Sequence, residues 1–462
     1  MKNPRPFQRM PLWAVLAISA GLAGAAETKP GDDAAPRTVP PGLQSGDTLA
    51  FYGDSITHGG LYTRWAPLYY YTRYPDVRIR FFNAGVGGNS AGSALHRFRQ
   101  DIIEQDPDVV TVLFGMNDGG YQPFDEEIFA RYKANMLTIL DRLKNEAKAR
   151  AILLTPSMYD AELRRRKRPG NRTAAEYNKT LIRYGDWLRK VANERKLPII
   201  DLNAPMTTVT ETLRKKDPNA TLSRDGIHPA PAGDFILTHA ILKGFGAPAL
   251  VSRIHIDTGT GKTDTERCEL SNLKTGADSV TFDALAEALP MPYPEAAGEL
   301  LALVPFTRDL NQETLRVGGL AAGDYQLTID GKAVGAYGAK ALADGVNLAE
   351  NTATPQHKQA LAVMAVNDKL QEVVLKERRL RLMEKKKGYR KPDGTYPRKK
   401  VKRAEGPDGE TRWVPDEEWE VRFAKEIKAY PDIVKRIAEL EDDIYRVNQP
   451  EARRYVPRRK AD

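Results

Sequence analysis

Four short blocks in this 462-residue chain hold residue types that can do chemistry together. The first, Gly53-Asp54-Ser55-Ile56-Thr57, puts a hydroxyl just after an apolar run. A serine on such a turn lies at the carboxyl end of a strand, where α/β sheets bind ligands, and its oxygen can attack a carbonyl. A serine in that place also commonly caps the following helix. The second block, Asn83-Ala84-Gly85-Val86-Gly87-Gly88-Asn89-Ser90, follows another apolar run. Its glycines let backbone N–H groups approach a ligand closely. It lacks the full G-x-G-x-x-G spacing and the acid a dinucleotide ribose needs, so a small oxyanion site suits it better than a pyrophosphate cradle. The third, Phe114-Gly115-Met116-Asn117-Asp118, offers the Asn117 amide either to a developing oxyanion or as an ordinary turn residue. The fourth is Asp225-Gly226-Ile227-His228-Pro229. Spacing of three in one loop lets the Asp225 carboxylate hold one imidazole nitrogen of His228 while the other faces a serine. The acid then fixes the tautomer, and the imidazole takes and returns the proton. The other five histidines, His58, His96, His239, His255 and His357, read as ordinary polar residues. His58 is the one to follow, three residues after Ser55.

The elements that must present these blocks are legible in the apolar pattern. Runs at Thr48–Tyr52, Val77–Phe82, Val109–Phe114, Ala151–Thr155 and Pro198–Leu202 suit buried parallel strands. Helical periodicity fills the intervals, clearest over Glu126–Lys144 and Ala174–Arg195, with another helix expected at Ala232–Lys243. Strands alternating with helices predict a three-layer α/β sandwich on a parallel five-stranded sheet over residues 47–248. The aromatic stretch Trp65, Tyr69, Tyr70, Tyr71 and Tyr74 would line a sugar subsite or, as burial statistics favour, pack the first helix onto the sheet. Residues 249–355 read as a small β-rich module, with Asp330-Gly331 as a hairpin turn. Residues 356–462 read as a charged helical region whose two helices pair as a hairpin, the second bent at Pro431.

Charge divides the chain further. The net +9 suggests a nucleic-acid partner only until it is apportioned: residues 27–368 are nearly neutral, while residues 369–462 carry a surplus of eight positive charges. That tail is expected to offer anionic envelope polymer, lipid or another protein a surface, although charge runs on helices are usually solvated faces. Residues 1–26 read as a signal peptide, with Lys2, Arg5 and Arg9 ahead of an apolar stretch and Ala23-Gly24-Ala25 as a small-residue cleavage pattern. The stretch is short for a membrane span, which needs about 20 residues, so cleavage is favoured over retention as an anchor. Residues 27–46, rich in Pro, Gly, Asp and Ala, read as a linker. A periplasmic or secreted location follows, with no nucleic acid as partner. The single cysteine, Cys268, excludes an internal disulfide.

Taken in the order Ser, Gly, Asn, Asp-x-x-His, the blocks resemble those of the SGNH hydrolases, the GDSL-like lipase and acylhydrolase superfamily, over about residues 45–248. Gly53-Asp54-Ser55-Ile56 matches the GDSL block with Ile in place of Leu. Gly88, Gly115-Met116-Asn117-Asp118 and Asp225 to His228 fall on the other three. The resemblance implies a flavodoxin-like sheet of order 2-1-3-4-5, with Ser55 as nucleophile, His228 as base and Asp225 as its partner. It implies an oxyanion hole of the Ser55 and Gly88 N–H groups and the Asn117 side chain, and no metal or cofactor. The expected reaction is hydrolysis of an oxygen ester through an acyl-enzyme, on acetylated polysaccharide first and on acyl lipid or thioester second. Phosphate-ester hydrolysis lacks the metal-ligand cluster it usually uses. Leu310–Pro355 is similar to a module that follows SGNH domains in exported bacterial proteins.

Overall fold

The computed structural model describes residues 37–167, 174–276, 278–386, 401–405, 411–415 and 426–460. The predicted signal peptide and most of the linker lie outside the described residues. The chain divides into two compact units. The first comprises residues up to Tyr70, Tyr74–Leu250 and Tyr293–Asn311; the second comprises Tyr71–Arg73, Val251–Pro292 and the chain from Gln312 onward.

The first unit is built on five parallel strands: β1 (Thr48–Gly53), β2 (Arg80–Gly85), β3 (Val109–Leu113), β4 (Arg150–Leu154) and β5 (Ile199–Ile200), ordered β2-β1-β3-β4-β5. Every residue of β1 and β3 is buried, so both faces need apolar side chains and the sequence shows unbroken runs rather than alternation. The register sets Gly53 beside both Gly85 and Leu113. Three strands therefore end level, and the chain segments after them emerge side by side.

Strand β2 lies three residues beyond the expected run at Val77–Phe82. Val77 and Ile79 are buried but precede the ladder, in which Thr48 pairs with Arg80. The helix Glu126–Arg142 starts where Asp125 accepts the Ile128 N–H and packs Tyr132, Met136, Ile139 and Leu140 against β1 and β3 in one core. It finishes in a π-helical turn over Leu143–Ala147 rather than running on regularly to Lys144. The helix Tyr177–Arg195 adds Tyr184, Leu188 and Val191 to that core. The aromatics at 65–74 are all buried, which overturns the sugar-subsite reading. Tyr70 packs on Phe81 at 5.2 Å, and the Tyr69 hydroxyl donates to the Pro248 carbonyl.

The second unit contains two antiparallel sheets sharing one core. Its strands are β6 (Leu250–Asp257), β7 (Thr263–Glu266), β8 (Cys268–Thr275), β9 (Val280–Ala286), β10 (Gln312–Gly318), β11 (Asp324–Ile329), β12 (Lys332–Gly338) and β13 (Val346–Asn347). A separate hairpin is formed by β14 (Val401–Glu405) and β15 (Thr411–Pro415). The Asp330-Gly331 turn forms as read, both residues having the positive φ that a two-residue hairpin loop requires. The sequence reading made residues 356–462 helical and turn-rich; instead β16 (Arg453–Arg459) inserts between β9 and β11, completing the order β12-β11-β16-β9-β8. The helices Pro355–Lys386 and Tyr430–Val447 pack antiparallel, the Tyr430 hydroxyl bonding Glu377 and the Gln359 amide bonding the Val447 carbonyl. Pro431 sits in the first turn of its helix, where the missing N–H breaks no bond, and the helical stretch 426–428 before it is interrupted at Ala429.

Because β16 buries Tyr455 flat against Phe282 (centroids 5.0 Å apart), Tyr455→Ala is expected to destabilise the second unit by about 3 kcal/mol. Hydrogen exchange across β9 and β11 measures this, and protection should fall.

Candidate active site

The turn after β1 is shaped by what cannot fit there. A Cβ on Gly53 would lie 2.0 Å from the Thr57 hydroxyl oxygen, so only glycine lets the chain turn so tightly into the helix Ser55–Gly59. The cap of that helix is Asp54, not Ser55: its carboxylate accepts the Ile56 N–H at 2.8 Å. The Ser55 hydroxyl is thereby left for another partner. Asn83 clamps the turn from β2, donating to the Thr57 carbonyl (2.8 Å) and the Thr63 hydroxyl (3.1 Å) and accepting the Gly85 N–H.

The partner of Ser55 is His228, whose Nε2 lies 2.9 Å from the Ser55 oxygen across 173 residues of sequence. His228 Nδ1 in turn lies 2.9 Å from Asp225 Oδ2. The other Asp225 oxygen accepts the Ile227 and His228 N–H groups at 3.0 and 2.9 Å. Partial burial pushes this carboxyl up, but those backbone bonds and the imidazole outweigh it and hold the pKa at about 2. Asp225 is therefore an acceptor throughout the range in which imidazoles titrate, so Nδ1 carries the hydrogen and Nε2 presents its lone pair to the serine.

The loop holding this pair is braced internally. Ser223 donates to the His228 carbonyl and accepts the Gly226 N–H, both at 2.9 Å. Gly226 has φ +90°, and a Cβ there would approach the Asp160 carbonyl to 2.8 Å. Asp160 is fully buried and anchors the loop from outside: its N–H donates to the Gly226 carbonyl, and its carboxylate binds Arg214 and Thr221.

The opposite side of the site is laced by Arg97. Its guanidinium donates to the Gly53 and Ala84 carbonyls at 2.7 Å and to the Asn89 side chain at 2.8 Å, pairs with Asp101 and lies over the Tyr52 ring. One side chain thus ties the ends of β1 and β2 to the loop containing Gly88, which has φ +73°. The Asn117 amide donates to the Asn89 carbonyl (2.9 Å), and Asn117 Oδ1 accepts the Tyr121 hydroxyl (2.8 Å). That bond fixes which way the amide faces. Burial pushes the Tyr121 hydroxyl well up, so it remains a donor. Burial also raises the carboxyls of Asp54 and Asp118 to about 7 and 6.

Ser55, His228 and Asp225 thus stand in direct hydrogen-bonded sequence, and Asn117 bonds the carbonyl of Asn89, the residue after Gly88. His58 does not join them; its ring bonds the Gly85 carbonyl. Arg97, Tyr121 and Asp160 were missed, because each acts through tertiary contacts that no short motif carries. Among the described residues no three His, Cys, Asp or Glu side chains gather as a metal site.

A parallel sheet presenting a serine–imidazole–carboxylate chain beside a glycine loop and an asparagine defines an SGNH-type hydrolase. Residues 51–234 match the model of the GDSL-like Lipase/Acylhydrolase family. An acetylxylan esterase of Geobacillus stearothermophilus is 29% identical over 232 residues, covering 46% of this chain and 99% of that protein. A solved structure described as a gut microbial diltiazem-metabolizing enzyme superposes with a TM-score of 0.77 at 29% identity, over 92% of this chain and all of the other. The protein is a carboxylic ester hydrolase.

Two substitutions test the arrangement around Asn117. Asn117→Ala is expected to lower kcat about 100- to 1000-fold on a chromogenic acetyl ester. Tyr121→Phe should lower kcat about tenfold with KM nearly unchanged, since a misdirected donor acts on the transition state. Adding Tyr121→Phe to Asn117→Ala should cost nothing more.

Proposed function

We propose that this esterase is exported and removes acetyl groups from carbohydrate by serine catalysis. The carrying observation is the unbroken hydrogen-bonded chain from Ser55 through His228 to Asp225. In the proposed reaction His228 Nε2 takes the Ser55 proton as Oγ bonds to the acyl carbon, and the carbonyl electron pair moves onto oxygen. That oxyanion is received by the Ser55 and Gly88 N–H groups and the Asn117 amide. Collapse expels the alcohol, protonated by the imidazolium, and leaves an acetylated Ser55. Water activated by the same imidazole then releases acetate. The acetylxylan esterase relative supports acetylated carbohydrate as substrate. The diltiazem-metabolizing neighbour favours a second reading, hydrolysis of a small acylated molecule.

Export rests on the pattern of residues 1–26, and secretion from a bacterial host should yield a chain beginning after Ala25 or Ala26. Association of the basic region 369–462 with anionic polymer rests on its charge surplus; salt-sensitive retention of the full chain on a heparin column tests it.

The purified enzyme is expected to release p-nitrophenol from its acetyl ester, and Ser55→Ala or His228→Ala should each abolish release while circular dichroism stays unchanged. Asp225→Asn should lower kcat by about 100- to 10,000-fold. A carboxyl with its pKa at about 2 stays charged above that pH, so titration of Asp225 itself should contribute nothing to the wild-type pH–rate profile from pH 5 to 8. Comparing acetylated xylo-oligosaccharides with diltiazem separates the two substrate readings.

A further inference from the structure

The helix Ala161–Lys167 is packed directly on the catalytic acid's turn, and it is dense in cations: Arg164, Arg165, Arg166 and Lys167. A Cβ on Gly226 would lie 2.9 Å from the Arg164 Cβ, so helix and turn touch. Arg165 is neutralised by Glu162, and nearby Arg214 by Asp160. The other three have no such acid among the described residues. Arg164 donates to the Asp225 carbonyl at 3.3 Å, Lys167 to the Arg224 carbonyl, and Arg166 to the side-chain and backbone oxygens of Asn219. Hydrogen bonds to neutral oxygens leave the charges uncompensated.

Arg164 borders the turn that carries Asp225. It acts electrostatically on the hydroxyls of Tyr121, which holds Asn117, and of Tyr159, whose ring lies 6.2 Å from that of Tyr121. Its Nε is buried without a partner. A half-buried guanidinium, followed by two exposed cations on the same helix, leaves a patch of uncompensated positive charge beside the Asp225 turn that attracts anions.

We infer that Arg164, Arg166 and Lys167 form a cationic rim that selects esters whose alcohol part carries a carboxylate, such as an acidic sugar polymer. This rests on the esterase reading above and narrows its substrate class. Exposed cations attract such a substrate through a screened field, so the preference must weaken as ionic strength rises past the point where the Debye length is about 10 Å.

The probes are 4-acetoxybenzoate and 4-acetoxybenzamide, matched in size and differing in charge, each rate normalised to that ester's hydroxide-catalysed hydrolysis. Wild-type enzyme is expected to favour the benzoate about fivefold or more in kcat/KM at 20 mM salt, falling towards equality at 0.5 M. Arg166→Glu combined with Lys167→Glu should invert the low-salt ratio, and Arg166→Lys with Lys167→Arg should keep it. Equal ratios at all salt concentrations, or a ratio untouched by charge reversal, would overturn the rim. Should the reversed variant not fold, the wild-type salt series alone decides. Failure to hydrolyse either probe would instead refute the esterase reading beneath it.

Discussion

Everything at the site depends on three parallel strands ending at one level. With Gly53, Gly85 and Leu113 in register, the serine turn, the glycine loop and the asparagine turn leave the sheet as neighbours. A one-residue slip would turn each buried strand over and part them. Arg97 is the strut that holds this edge, since its donors reach carbonyls at two strand ends and the Asn89 side chain together. Its charge is met by Asp101 and the Tyr52 ring, so burying it costs less than an isolated guanidinium would.

Electrostatics separates the carboxylates into two kinds. Asp225, partly open to solvent and bonded by two backbone N–H groups, stays ionised and can orient an imidazole and stabilise its charged form. Asp54 and Asp118 are buried where the charged form is disfavoured; they serve the backbone, one capping the helix that begins at Ser55 and the other accepting the Ala91 N–H. The same side-chain type thus holds an imidazole in one place and caps backbone in another, and solvent access with bond count decides which.

The meeting of Ser55, Asp225 and His228 is legible in sequence because each lies in a short block, and the strands are legible because buried parallel strands are apolar throughout, whereas the sheet order comes only from the family resemblance. What escaped was whatever depends on distant partners. Val77 and Ile79 are buried without belonging to a ladder, which moved the apparent start of β2 three residues early. Strand β16 reads as a solvated basic tail, Arg-Arg-Tyr-Val-Pro-Arg-Arg, with only Tyr455 and Pro457 buried. Its apolar face is supplied by the strands it joins. Tyr121 has no motif, and its hydroxyl matters only once the fold sets it against Asn117.

The central claim is that Ser55 is the nucleophile and that His228 makes it one. The most direct measurement is covalent labelling by a p-nitrophenyl phosphonate ester, followed by mass spectrometry of the digested protein. The account predicts one phosphonyl group per chain, on Ser55, with labelling slowed at least a thousandfold by His228→Ala. Labelling at another residue, or esterase activity persisting in a Ser55→Ala enzyme, would contradict it.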